Sequence, residues 1–397
     1  MTSRSIPIRL GFIPLLDAAI PIVAADKGFA AREGIDLTLV RETSWANIRD
    51  RLAIGHFEAA HLLAPMPVAA ALGLTPLDVP LIAPMALGLG GNAITVSDAL
   101  WAEMRTARPE VIANDPVSVG VALKAALAAR QGARRLTFAV VHPYSAHNYE
   151  LRYWLAACGI RPDTDLDLAI LPPPLMPDAL AAGTIDGFCV GEPWNSNAAR
   201  RFGGRIVLTK SAIWHAGPEK VLGVRADWAE RNPAALTALL RALLAAARWC
   251  ADQENAGDLV ALLARADRLG LPEEDIAAPL SGRMLLADGT RHHLENFMVF
   301  GGGSVSDGGT ANMPLRGAAL WFLSQMARWG QTTLTPEATS RAAASFRPDL
   351  LLPVADTGSA GRPLPPLQPL GGFFDGEPFD PVAIEAYLAR QTAHDRA

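Results

Sequence analysis

Leu52-Ala53-Ile54-Gly55-His56-Phe57-Glu58-Ala59 and Leu180-Ala181-Ala182-Gly183-Thr184-Ile185-Asp186-Gly187 read alike. Each runs through the end of a helix, a glycine that caps it and the start of a strand. A second pair, Gly34-Ile35 and Gly159-Ile160, repeats the move, and the offsets of 125 (34 to 159) and 128 (55 to 183) residues differ by three. Two units of one plan are implied. Working outward from the first pair, strands at Ile8 to Ile13, Asp36 to Val40 and Glu58 to Leu63 alternate with helices near Ala18 to Lys27 and Ala46 to Ile54. Around the second pair, helices near Val119 to Arg130 and Ala146 to Cys158 alternate with strands at Leu136 to Val141, Leu166 to Leu171 and Ile185 to Val190. Strand-helix alternation predicts parallel sheets covered by helices. Beyond Trp194 the pattern turns helical: Asn232 is the expected cap and Pro233 the first residue of a leucine-striped helix, and a second apolar helix spans about Leu315 to Trp329. The glycines of Phe300-Gly301-Gly302-Gly303-Ser304 read as a hinge. Pro353 to Pro378 reads as an irregular arm, mobile or wrapped on the surface, ahead of a last helix near Val382 to Arg390.

The chain has 397 residues, half of them hydrophobic, with 35 Lys+Arg against 40 Asp+Glu. That length predicts two or three folded units, and the composition excludes disorder. With a net charge of -5 and no basic run, direct nucleic-acid binding is not expected. Cys158, Cys189 and Cys250 stand far apart, which argues against zinc, iron-sulfur clusters or disulfides and for buried thiols. Residues 1 to 13 lack the pattern of a secretory signal, and no window of about 18 uncharged apolar residues stands out. The expectation is therefore a cytoplasmic protein with no membrane insertion.

No HExxH, GxSxG, CxxC or strand-borne GxGxxG occurs, so the reading is not an enzyme, with no cofactor and no metal. His292-His293 reads as a solvated pair on a helix. More informative are polar residues at strand-to-helix junctions, where the carboxyl ends of parallel strands open onto a cleft. Trp45 follows the second strand; Asn92 follows Gly90-Gly91; His147 lies in the first turn of a helix capped by Ser145; Val190 ends a strand; Lys220 begins one. Donors, a cation and an aromatic wall together suit a small anion.

At these positions the sequence resembles the nitrate/bicarbonate-binding branch of the bacterial solute-binding proteins, over roughly Ile8 to Gly330. Six blocks carry the likeness: Gly11 to Ala19, Glu42 to Ala46, His61 to Pro67, Leu151 to Ile160, Phe188 to Asn195 and Pro218 to Gly223. The resemblance implies an α/β, two-lobed periplasmic-binding-protein-like (type II) clamp that closes on one planar anion. Expected lobes are 1–93 plus 222–397, and 94–221. The resemblance also implies nitrate ligands at Trp45, Asn92, His147, Val190 and Lys220, with Asn92 standing where nitrate binders of this family usually have glutamine. Lys220 favours nitrate, or nitrite, over bicarbonate, because nitrate has only acceptor oxygens whereas bicarbonate carries a proton that needs an acceptor. Members without an export signal resemble cytoplasmic nitrate sensors of the NasS type, which implies an ANTAR-type RNA-binding antiterminator as partner, held without nitrate and released with it. The alternative is the substrate-binding component of an ABC-type nitrate or bicarbonate transporter, and a more distant one an enzyme like the thiamine-pyrimidine synthases. The Pro353 to Pro378 arm and the Leu315 to Trp329 helix are the candidate partner surfaces.

Overall fold

In the computed structural model, residues 5–130, 132–215, 217–302, 311–355, 364 and 366–395 are described. The chain divides into two compact units. Unit 1 takes Met1–Leu89, Pro218–Glu273 and Val299–Pro369; unit 2 takes Gly90–Gly217, Glu274–Met298 and Leu370–Ala397.

Unit 1 is built on β1 (Ile6–Phe12), β2 (Ile35–Arg41), β3 (Ala59–Leu63), β4 (Leu81–Ala86) and β11 (Lys220–Arg225), in the order β2-β1-β3-β11-β4. β1 runs parallel to β2 and β3, and β11 runs antiparallel to both of its neighbours. Past the two-residue β5 (Leu89–Gly90), unit 2 is built on β6 (Asn92–Ser97), β7 (Thr137–Val140), β8 (Asp167–Ile170), β9 (Gly187–Gly191) and β10 (Gly204–Thr209), in the order β10-β6-β9-β7-β8. Here β7 is parallel to β8 and β9, and β6 is the antiparallel strand between β9 and β10. Read from the other edge, this is the same sheet: three parallel strands, one reversed strand, one more. The echo in the sequence is an echo in the fold. Gly34 and Gly159 take φ of +73° and +70°, and Gly55 and Gly183 take +77° and +69°. These are left-handed conformations that a residue without Cβ adopts without strain as it ends a helix.

Leu10, Phe12, Ile22 and Leu62 fill the core of unit 1, and Phe138, Leu151, Trp154, Phe188 and Leu208 that of unit 2, all fully buried. The leucine stripe Leu236, Leu239, Leu240 and Leu243 of the Pro233–Ala251 helix is buried as well. By length and composition alone this helix is long and apolar enough to cross a membrane, but it carries Arg241 and Arg248, so the sequence holds no uncharged window of that length, and 56% of the apolar window is buried. Asn232 stands at its N-cap position, yet its side-chain amide donates to the Trp228 carbonyl at 2.9 Å instead of accepting a backbone N–H.

Expected lobe boundaries and observed units differ by four residues at the two crossovers, which places Asn92 in unit 2 and Lys220 in unit 1 rather than the reverse, and they differ again at the C-terminal stretches. Residues 274–298 belong to unit 2 because Met284, Leu286 and Phe297 pack on Ala93 and Ile206 in one cluster. Residues 370–395 belong there because Phe373 stacks on Trp214 with centroids 4.8 Å apart and the Tyr153 hydroxyl donates to Asp375 at 2.6 Å. In the described part of the proline-rich arm Phe373 is buried, while Pro366, Gln368, Pro369, Gly371 and Gly372 are exposed; 356–363 and 365 lie outside the described residues, as do Gly303 and Ser304 of the glycine loop. Pro348–Ala355 is a helix despite Pro353. The Arg316–Arg328 helix is buried from Gly317 through Met326 and presents no open face to a partner, so that candidate surface is withdrawn.

Candidate functional site

The carboxyl edge of the parallel strands in unit 1 collects charge in an apolar setting. Asp17 lies in the one-turn 3-10 helix Leu16–Ala18 just past β1. Trp45 is the first residue of the Trp45–Ala53 helix past β2, whose start is fixed by the Ser44 hydroxyl accepting the Asn47 N–H at 3.2 Å. His61 sits inside β3 opposite Leu222, and Lys220 opens β11 opposite Leu63. Because β11 runs against β3, its first residue arrives where the parallel strands end. Lys220 Nζ donates to Asp17 Oδ2 at 2.8 Å and to Glu219 Oε1 at 2.9 Å. His61 Nε2 lies 2.8 Å from Asp17 Oδ1. The Trp45 ring stands 5.4 Å from Lys220 Nζ and 5.3 Å from the His61 ring.

None of these side chains is more than a few per cent exposed, so their ionisation follows from pairing against desolvation. Burial, the largest influence on Asp17, pushes its carboxyl up, but Lys220 and His61 outweigh it and hold the group below its ordinary value. Burial pulls Lys220 down, and Asp17 and Glu219 carry it back above its ordinary value. For His61 burial wins against Asp17, the value falls, and the imidazole is neutral at pH 7. Trp45 Nε1 is buried and has no hydrogen-bond partner among the described residues. An orphaned buried N–H is uncommon because its desolvation costs about 1–3 kcal/mol.

In unit 2 the same edge holds Asn92, His147 and Val190. Asn92 opens the reversed strand β6, as Lys220 opens the reversed strand of unit 1, and pairs with Gly191 while Ala93 pairs with Val190. The Val190 carbonyl accepts from Asn195 Nδ2 at 2.8 Å, and Asn195 Oδ1 accepts from the Thr95 hydroxyl at 2.8 Å, so this strand end is held rigidly. His147 follows Ser145, whose hydroxyl accepts the Asn148 N–H at 3.1 Å and so caps the Ala146–Ala157 helix as expected. One turn on, Glu150 accepts from Asn92 Nδ2 at 3.3 Å and pairs with the buried Lys210. Just past β9, Glu192 is buried; one carboxylate oxygen accepts the Ser196 N–H at 3.0 Å, and Oε1 has no partner among the described residues. Burial pushes its pKa up to about 8.

The structure therefore gathers Trp45 and Lys220 in one cluster, and links Asn92 to Val190 through strand pairing and to the helix of His147 through Glu150. Sequence reasoning missed Asp17, His61, Glu150 and Lys210, and it treated Lys220 as a bare cation, whereas two carboxylates already engage it. The signal was present: Asp17 sits in Leu15-Leu16-Asp17-Ala18-Ala19 and His61 in a strand buried at every position. A polar side chain in such a run is buried, and a buried charge calls for a partner. Among the described residues no group of three His, Cys, Asp or Glu could hold a metal. His292 lies on a strand, not a helix, with Nε2 2.7 Å from Asp288. The cysteines are unbridged, and burial pushes the Cys158 thiol up to about 12.

A sequence profile of the NMT1-like family matches residues 2–264. The chain belongs to this family. Within it the chain falls in the nitrate/bicarbonate-binding branch. It is 34% identical to the nitrate/nitrite binding protein NrtA of Synechococcus elongatus over 96% of this chain and 85% of that one. It is 37% identical to the nitrate import ATP-binding protein NrtC of Synechocystis over 98% of this chain, spanning only 56% of NrtC's length, and it spans 46% of the bicarbonate transport ATP-binding protein CmpC of the same organism. In three dimensions it matches the periplasmic nitrate-binding protein NrtA from Synechocystis with a TM-score of 0.84 and 28% identity, over 97% of this chain and 98% of that one. The fold is that of the periplasmic binding proteins: two mixed α/β units, each a mainly parallel sheet flanked by helices. These relatives are binding and transport proteins; none of them is described as a cytoplasmic sensor or as bound to an antiterminator.

Proposed function

We propose that this chain is the nitrate-binding component of an ABC-type import system, with nitrite as a second ligand and bicarbonate as the competing one. The transporter reading, held second on the sequence alone, moves ahead of the sensor reading because the relatives carry nitrate binding and nitrate import in their names. The observation that carries the ligand is the buried Trp45 N–H, without a partner among the described residues, beside the Lys220 ammonium. A donor and a cation presented together in a low-dielectric wall suit an anion whose oxygens only accept. We assign Trp45, Asn92, His147, Val190 and Lys220 as the ligand-contacting residues. Binding requires no reaction, and the partners of this role are the membrane and ATP-hydrolysing parts of a transporter.

The test is isothermal titration of the purified chain with nitrate and nitrite, with bicarbonate in the presence and absence of calcium as the second arm. Saturable nitrate heat that disappears in Lys220→Met supports the reading. Heat with bicarbonate alone reassigns the chain to inorganic carbon, and silence with all of these anions refutes the anion site.

A further inference from the structure

Asp17 divides its two oxygens between two partners. Oδ2 accepts from Lys220 Nζ at 2.8 Å, and Oδ1 faces His61 Nε2 at 2.8 Å. His61 is fully buried in β3, and the charged groups that act on it are Asp17 from the turn past β1 and Lys220 and Glu219 from the head of β11, with the Trp45 ring against its face. With the imidazole neutral, Lys220 is the cation that Asp17 relies on. An anion held by Lys220 Nζ competes with Asp17 for the same charge. A buried carboxylate left with a neutral imidazole would cost several kcal/mol. A second cation beside Asp17 removes that cost, and among the described residues His61 is the group placed to become one, already at hydrogen-bonding distance.

We propose that His61 takes up one proton as the anion binds, so that Asp17 passes from Lys220 to the imidazolium and Lys220 passes to the anion. This site then binds nitrate together with a proton. The inference rests on the nitrate reading of the site. The balance is simple: a solvent proton forms the second N–H bond of the imidazole, and nitrate itself exchanges nothing. His61 and Asp17 are positioning residues here, acting on the ligand through Lys220, and they make affinity for a proton-free anion depend on pH.

The experiment is titration of the wild-type chain with potassium nitrate at pH 7.5 in three buffers of different ionisation enthalpy. The slope of observed heat against buffer enthalpy counts the protons taken up. We expect about one proton per nitrate, and an affinity that weakens about tenfold per pH unit between pH 7 and 9 as the linked proton becomes scarce. His61→Gln, which retains polarity at the site but cannot take a charge, should bind nitrate about a hundredfold more weakly than wild type at pH 7.5, measured at millimolar nitrate, with no proton uptake and a flat pH profile. Wild-type binding with no uptake and no pH dependence would overturn the proposal, as would uptake that persists in His61→Gln. Absence of nitrate heat in every buffer would remove the nitrate reading, and this inference with it.

Discussion

Replacing Glu192 with glutamine should remove one source of the stability that the chain loses as pH rises from about 5 to 8. The side chain is buried past β9, Oε2 accepts the Ser196 N–H, and Oε1 has no partner among the described residues. Burial raises its pKa to about 8, Asp275 adds to the rise, and the Ser196 N–H opposes it. In the unfolded chain the group titrates at its ordinary 4.5. Between these values the folded chain keeps a proton that the unfolded chain has released, so stability falls as pH rises through that window. The interval is about 3.5 pH units, and each unit corresponds to about 1.4 kcal/mol, so the wild type gives up roughly 5 kcal/mol between pH 4.5 and 8 on account of this group. Glutamine has the shape of the protonated acid and no charge to desolvate. Glu192→Gln should therefore be no more stable than wild type at pH 5 and should overtake it by pH 8, with the difference in unfolding free energy growing by about 1.4 kcal/mol per unit. Urea unfolding of both proteins at pH 5, 6, 7 and 8 measures that difference. A gap that stays constant across the range would show that Glu192 is ionised in the folded state and that the desolvation argument fails.

Three other outcomes can be checked with simple variants. Lys220→Met should abolish nitrate binding in titration and also cost about 3–5 kcal/mol in urea unfolding, because Asp17 and Glu219 lose a buried cation. Trp45→Phe should weaken nitrate about tenfold for the one lost hydrogen bond, with far less effect on the unfolding midpoint, since the indole N–H has no partner among the described residues to lose. Gly120→Ala should destabilise by about 1–3 kcal/mol despite alanine's better helix propensity, because its Cβ would lie 2.2 Å from Cys158 Sγ; a raised thermal midpoint would contradict the packing.

Local chemistry made much of the parallel scaffold readable in advance. β1, β2 and β3 are short apolar runs between helices with glycine caps, so their period and punctuation agree. β4, β6 and β10 were not legible. Pro84 interrupts the first, Gly90-Gly91 precedes the second, and the third follows Phe202-Gly203 without a turn that marks its pairing. Their partners are fixed by contacts far along the chain, as when Asn92 meets Gly191 and Lys220 meets Leu63. The same limit shaped the site. Trp45 and Lys220 stood at junctions that any parallel sheet exposes, whereas the pairing of Lys220 with Asp17, 203 positions away, is a tertiary fact.

The placement of β11 also orders events during synthesis. Between β3 and β4 lies a strand made more than 130 residues after either of them, so the first sheet must wait with its fourth strand missing and β4 unpaired to the rest. β6 to β10, by contrast, emerge in one unbroken stretch from Asn92 to Thr209. A chain leaving the ribosome can therefore complete its second sheet before its first, and amides of β7 and β9 should gain protection from exchange earlier than those of β3 and β4.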